Sequence, residues 1–434
     1  MSKTLTVLCM TLFLVVVLSF AHARAAAPVE LVVLSHQVHQ QSMTGSKDGG
    51  KNLLQEFIAA HPQVSKINFI TAGTPEVHDR LFREAALPRT EIDVAFIYSP
   101  YISPDVPSFF DSIDGYDAKK PIEDPKDIIQ SFWGELTFNG KRYAVPMRSG
   151  GNTYLFYNKK ILAERGIPVP KTIEELVDAI KRSAFTRPNG ERVYGYVKQG
   201  NKSEVAFSMG AFVRAMGGDY ISKDFHPRLT SPEVLNSLRI YRELFATGVM
   251  PDNFTALTNA DTLTLFQSGR VAFYTAGPDY LTRLAKPGVV EVQDIGHLNF
   301  PPLKKDLAKW GGAAPCGIYQ WAMAIPKGSR RKDAAWDFIR FMSTKDAVLN
   351  MALSGNGPTR ISTFENPKYK AMVPTVNGTL TMLKLGYPMF PAFENFTQAN
   401  DIIGEQIQQA VLGRKTPDQA MQDAQGAIKE LLPK

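Results

Sequence analysis

Residues 29–35, VELVVLS, form a short apolar run, the pattern of a strand covered on both faces. The polar stretch HQVHQQSMTGSKDGG follows and reads as a loop. Leu54, Phe57 and Ile58 then recur at helical spacing. KINFITAG (66–73) and EIDVAFIYS (91–99) read as two further strands, with a helical pattern over 77–87 between them. Strand, helix, strand, helix, strand predicts a parallel sheet of the α/β class. Ligands of such sheets sit beyond the carboxyl ends of the strands, so the loops beginning at His36, Thr71 and Tyr98 become candidates for one wall of a site.

Further along, PKTIEELVDAIKR predicts a helix capped by Thr172, with Glu175 completing a capping box. SPEVLNSLRIYRELFATG has Ser231 as cap, Pro232 at the first helical position and Gly248 at its end. LTLFQSGRVAFYTAGP reads as a helix end, a turn at Ser268 and Gly269, and a strand. WAMAIPKGSRRKDAAWDFIRFMS reads as strand, turn and helix, with Ala335, Phe338, Ile339 and Met342 on one helical face. TPDQAMQDAQGAIKELL closes the chain with Thr416 as cap and Gln419 as its capping-box partner. No Gly/Ser-rich or Pro-rich linker divides the sequence, so two lobes would be joined by strands that cross between them.

At 434 residues the chain exceeds one small core, and two domains are expected. The net charge of +7 comes from interleaved signs, and no basic run exceeds Arg330-Arg331-Lys332, which argues against a nucleic-acid footprint. Lys3, the apolar stretch 5–20 and the small residues of AHARAAA read as a signal peptide over residues 1–25; the apolar stretch is short for a membrane span. Of the two cysteines, Cys9 lies in that leader, leaving Cys316 unable to form an intramolecular disulfide. An exported, disulfide-free chain of this size points to a bacterial periplasm.

Catalytic signatures are weak. GSKDGGKN (45–52) fits a P-loop only until its last position, where Asn52 replaces the Ser or Thr that holds Mg²⁺. Gly49 and Gly50 instead lead the chain into a helix N-terminus. His36 and His39 have no accompanying metal motif and read as a hydrogen-bonding pair. There is no G-x-S-x-G elbow. No carboxylate pair announces a glycosidase, although sequence leaves that class open. No cofactor, metal or catalytic residue is assigned. Tyr98, Tyr101, Tyr154, Tyr280, Tyr319 and Trp321 fall near loop or strand ends. Singly they read as packing; together they would suit the apolar face and polar rim of a sugar ring.

In this order and spacing, LVVLSHQVH, EIDVAFI, NGKRYAVPMRSGGNTYLFYNKKILAERGIPVPKTIEELVDAIK, FQSGRVAFYTAGP, PKGSRRKDAAWDFIRFMS, GNGPTR and AVLGRKTPDQAMQDAQGAIKELL resemble the family-1 extracellular solute-binding proteins of ABC importers. The resemblance implies a two-lobe, type II periplasmic-binding-protein fold with a ligand cleft between lobes joined by crossing hinge strands. It places residues 28–147 and 300–343 in one lobe, and 148–299 and 344–434 in the other. It implies a monomeric binder, not an enzyme, that captures a carbohydrate by hinge closure and delivers it to membrane permease subunits.

The same resemblance nominates His36, Gln37 and His39 after the first strand, Tyr98 and Ser99 after the third, and Arg148 and Asn152 at the first hinge crossing. It adds Gly277, Asp279 and Tyr280 after the GRVA strand, Gly317 and Tyr319 before WAMAI, and Arg360 at the end of GPTR. Ser149, Gly150 and Gly151 would absorb the backbone change of closure; the alternative is a tight β-turn with a solvated arginine. Asp279 and Tyr280 follow Gly277-Pro278 where many oligosaccharide binders of this type carry Trp. That favours a mono- or disaccharide or a polyol derivative. If Arg148 and Arg360 both faced the cleft, an anionic group such as a phosphate, sulfonate or carboxylate would be admitted, making a phosphorylated or sulfonated sugar or glycerol derivative the alternative ligand; an exported glycoside hydrolase is the rival from another class.

Overall fold

The computed structural model describes residues 28–45, 50–151 and 153–433. The segment read as a signal peptide, residues 46–49 of the P-loop-like stretch and Asn152 lie outside the described residues.

Two sheets organise the chain. In the first lie β1 (Val29–His36), β2 (Val64–Ala72) and β3 (Val94–Tyr98), with β1 central and parallel to both neighbours. Helices Leu53–Ala60 and Thr74–Ala85 make the crossovers, as the alternation predicts. β4 (Ala144–Gly151) joins the same sheet, while β5 (Tyr154–Asn158) starts the second. The second sheet adds β6 (Arg192–Val197), β7 (Val271–Ala276) and β8 (Ile295–Leu298). The chain then returns: β9 (Gly317–Ala324) lies between β3 and β4 and is antiparallel to both.

The second sheet is buried on both faces because alternate residues point to opposite sides. Leu155, Tyr196 and Phe273 enter a core closed by helices Val205–Ala215, Pro232–Ala246 and Phe396–Val411. Tyr154, Phe156, Val197 and Tyr274 enter another core. Ile129 and Phe132 reach this core from the first-lobe side, alongside Cys316, Ile318, Phe364 and Leu383. The first sheet has its own core, from Leu31 to Met147 and from Trp321 to Met351.

Core membership moves the expected lobe boundaries. Phe300 and Ala314, assigned from sequence to the first lobe, pack into the second-lobe core, and the return comes at β9. Ala347, Val348 and Met351, assigned to the second lobe, pack into the first, because the helix Lys345–Leu353 keeps its apolar face on the first core.

The glycine-rich elbow is also different. Arg148, Ser149, Gly150 and Gly151 do not break the strand; they continue β4, paired with Trp321, Gln320, Tyr319 and Ile318 of β9. Neither Gly150 nor Gly151 has a positive φ. Glycine at 150 answers a steric demand, since a Cβ there would lie 2.2 Å from the Tyr319 ring. The pairing shifts register between Trp321 and Ala322. The crossing to the second sheet falls between Gly151 and Tyr154.

Candidate functional site

A cleft of about 510 Å³ opens between the lobes, in the size range of small-ligand sites. Tyr98, the last residue of β3, and Tyr101, three residues on, form its first-lobe wall. Their placement is local chemistry. His78, on the helix behind, donates from Nδ1 to the Thr74 carbonyl (2.7 Å). Its Nε2 then accepts from the Tyr98 backbone N–H (3.0 Å). The His78 ring also stacks on Tyr101 at 3.8 Å between centroids. Burial pushes the imidazole down to about 4, keeping it a neutral acceptor.

The second-lobe wall comes from strand ends and two helices. Lys198 and Gln199 follow β6, and Gly277, Asp279 and Tyr280 follow β7. Phe207 and Phe396 add apolar faces, and Asn400 sits one turn into the Phe396–Val411 helix. A hydrogen-bond chain stiffens this wall: Gln199 Nε2 donates to Asn259 Oδ1 (3.1 Å), and Asn259 Nδ2 donates to the Tyr280 hydroxyl (2.8 Å). Burial pushes the Lys198 ammonium down to about 8, with Glu204 pulling the other way. Two buried acceptors of this wall, Gln199 Oε1 and Asn400 Oδ1, have no hydrogen-bond partner among the described residues. Buried polar atoms are rarely left so, and each asks for a donor.

A second cavity of about 330 Å³ adjoins the first and shares Tyr319 and Asp279 with it. Arg148 and Ser149 line it on one side; Leu353, Tyr369, Met372 and Val373 line the other.

Tyr98, Gly277, Asp279, Tyr280 and Tyr319 therefore converge on the main cleft, and Arg148 on its neighbour. Other nominated residues do not. His36 is the last residue of β1 and caps a helix, Gln37–Thr44, where a loop was expected; its Nδ1 accepts from Val38 N–H (3.2 Å). Gln37 is exposed on that helix and His39 is buried beneath it. His39 stacks on Phe96 at 4.4 Å and meets Trp321 edge-on at 4.8 Å. The two histidine rings lie 6.3 Å apart, and among the described residues no group of His, Cys, Asp or Glu could hold a metal. Ser99 is buried and fastens β9, accepting from Gln320 N–H at 2.7 Å. Gly317 is buried within β9, paired with Tyr387.

Arg360 is withdrawn from the cleft outright. It is fully buried, ion-paired with Asp127 (3.2 Å), and donates to the carbonyls of Ser343 (2.6 Å), Asp124 (3.0 Å) and Glu123 (2.5 Å). Its donors are spent on holding the 123–127 turn. Lys198, Gln199, Asn259, Phe207, Phe396 and Asn400 were missed from sequence. The rule of strand carboxyl ends would have found the first two had RVYGYV been read as a strand.

A family profile described as bacterial extracellular solute-binding protein matches residues 44–348, and the chain belongs to that family of binding proteins. Its fold is the two-lobe type II periplasmic-binding-protein fold. A maltose-bound MalE3 of T. maritima superposes with a TM-score of 0.74 at 21% identity, covering 93% of this chain and all of that one. A ribitol complex of a solute-binding protein from Agrobacterium radiobacter gives 0.74 at 22% identity, covering 93% of this chain and 99% of that one. Among sequence relatives, a probable amino-acid ABC transporter periplasmic-binding protein of Sinorhizobium fredii is 26% identical over 68% of this chain. A mannitol-binding protein of Pseudomonas aeruginosa is 24% identical over 69% of this chain and 71% of its own length. The chain spans 65% of the Sinorhizobium protein and 52% of a maltotriose-binding protein of Pyrococcus abyssi, 27% identical over 58% of this chain. No described helix is long and apolar enough to cross a membrane.

Proposed function

We propose that this protein is the periplasmic solute-binding subunit of an ABC importer, exported by the 1–25 signal peptide. It captures a mono- or disaccharide or polyol derivative by hinge closure and delivers it to membrane permease subunits as a monomer. The observation that carries the ligand class is the pair of unsatisfied acceptors, Gln199 Oε1 and Asn400 Oδ1, in a cleft walled by Tyr98, Tyr101, Tyr280 and Tyr319. Hydroxyl hydrogens satisfy buried acceptors, and a sugar or polyol carbon skeleton covers aromatic faces. The relatives named for maltotriose and mannitol support the same class. The test is a thermal-shift and calorimetric panel of hexitols, pentitols, monosaccharides and disaccharides on the mature chain. A ligand present at a hundred times its Kd adds about 2.7 kcal/mol of stability, so a true member raises the midpoint by several degrees. A panel with no shift and no binding heat removes the carbohydrate reading; turnover of a bound glycoside would replace binding with hydrolysis.

A further inference from the structure

The second cavity holds a group that the carbohydrate reading does not use. Arg148 makes no ion pair and no hydrogen bond among the described residues, and its Nε is shut off from solvent. The two most buried arginines are ion-paired by contrast, although the Arg214 Nε also lacks a partner among the described residues. Arg214 is paired with Asp219 and lies 3.6 Å over the Tyr387 ring, and Arg360 holds Asp127 and three carbonyls. The β4–β9 register sets Arg148 opposite Trp321 and Gly150 opposite Tyr319, so the guanidinium and the Tyr319 ring share one face of the sheet. Cations at the main cleft are already matched: Lys198 faces Glu204, and Lys202 pairs with Asp401 at 3.1 Å. Arg148 is the arginine that lines either cavity, and it has no ion pair among the described residues.

We propose that the ligand carries a carboxylate, held by Arg148 in the second cavity, while its hydroxyl-bearing body lies in the main cleft. This rests on the polyhydroxyl reading above. Tyr319 and Asp279 line both compartments, so one molecule spans them past these two side chains. A guanidinium presents a planar fork that fits a carboxylate in two parallel hydrogen bonds. A single cation suits a single negative charge, and Asp279 at the boundary opposes a dianion while accepting from a hydroxyl next to the acid. The ligand class is therefore a sugar acid such as an aldonate.

The experiment compares aldonates with the polyols of the same carbon skeleton, four to six carbons long, and lactobionate with lactitol, by calorimetry on the mature chain. A hydrogen bond to a charged group contributes about 1.5–3 kcal/mol, so the acid of the matching pair binds about tenfold or more tighter than its neutral partner. Arg148→Gln removes that preference, the acid losing far more affinity than its neutral partner, and a cooperative unfolding transition of the variant shows that it folds. Should Arg148→Gln not fold, Arg148→Lys serves: it keeps the charge, loses the fork and weakens the acid selectively. If the neutral partner binds as well as the acid, the carboxylate proposal is overturned and the carbohydrate reading stands. If no member of either set binds, both fall together.

Discussion

At Gly150 and Arg360, two residues that resemble functional signals carry structural duties. Gly150 reads as hinge flexibility, yet it sits inside a paired strand beneath the Tyr319 ring. Gly150→Ala is expected to displace that ring and cost about 1–3 kcal/mol, the usual penalty of overpacking. Urea unfolding would show the loss and calorimetry a weakened ligand, since Tyr319 lines both cavities. A variant of unchanged stability and affinity would restore the flexible elbow. Arg360 reads as a cleft arginine, yet every nitrogen it has is engaged below the surface. Arg360→Ala strands the Asp127 carboxylate and is expected to cost about 3–5 kcal/mol in denaturant midpoint terms. Ligand affinity, measured at a temperature where the variant is folded, should not change; its abolition would return Arg360 to the site.

At the scale of elements, the strands of the first lobe were legible from their apolar runs and three helices of the second from their period and cap. Ser231 accepts from Val234 N–H, Thr172 from Glu175 N–H and Thr416 from Gln419 N–H, as their positions predict. The helix Gln37–Thr44 was not legible. Its composition is polar, and it exists because His36 caps it and His39, Ser42 and Met43 find burial that only the tertiary structure supplies. The same holds for Gln199 and Asn400, which become site residues through the approach of elements two hundred positions apart. His78 belongs to this scale, because it ties the helix Thr74–Ala85 to the end of β3. Its ordinary value of 6.5 falls to about 4 on folding through burial. Between those values the unfolded chain takes up a proton that the folded chain refuses. Its contribution is thus intact above pH 6.5 and is lost at about 1.4 kcal/mol per pH unit down to about 4. His39, held well below its ordinary value by burial, acts in the same direction. Glu135, pushed up to about 7 by burial, acts oppositely between about 7 and its ordinary 4.5. Total stability therefore hides the effect, and the difference between wild type and His78→Gln isolates it. That difference should shrink as pH falls from 6.5 to 4 in denaturant titrations; a constant difference would mean that His78 titrates normally.

At the scale of the whole molecule, backbone and side-chain bonds gather where the chain crosses between the lobes. Ser149 donates from Oγ to the Pro358 carbonyl (2.5 Å) and from its N–H to Gly357 (2.9 Å), and Asn356 Nδ2 donates to the Met147 carbonyl (3.0 Å). These bonds hold the 356–358 segment to β4, where the chain passes from one sheet to the other. On a different margin, Ser103 and Asp105 of the first lobe and Asn395 and Leu432 of the second line a small cleft of about 230 Å³. The proposed closure would turn about the crossing edge, where a few residues absorb the motion while both lobes stay rigid. Cysteines placed at Ser103 and Asn395 would carry a donor and an acceptor dye across that second margin. The native Cys316 is buried, with its Sγ donating to the Met382 carbonyl (3.3 Å), and should not label. A bound ligand can shift the lobes only as far as it prefers the closed arrangement, so energy transfer should rise with ligand and saturate at the calorimetric Kd. Transfer that stays flat through saturation would show a cleft that binds without moving, and closure as the means of delivery would have to be abandoned.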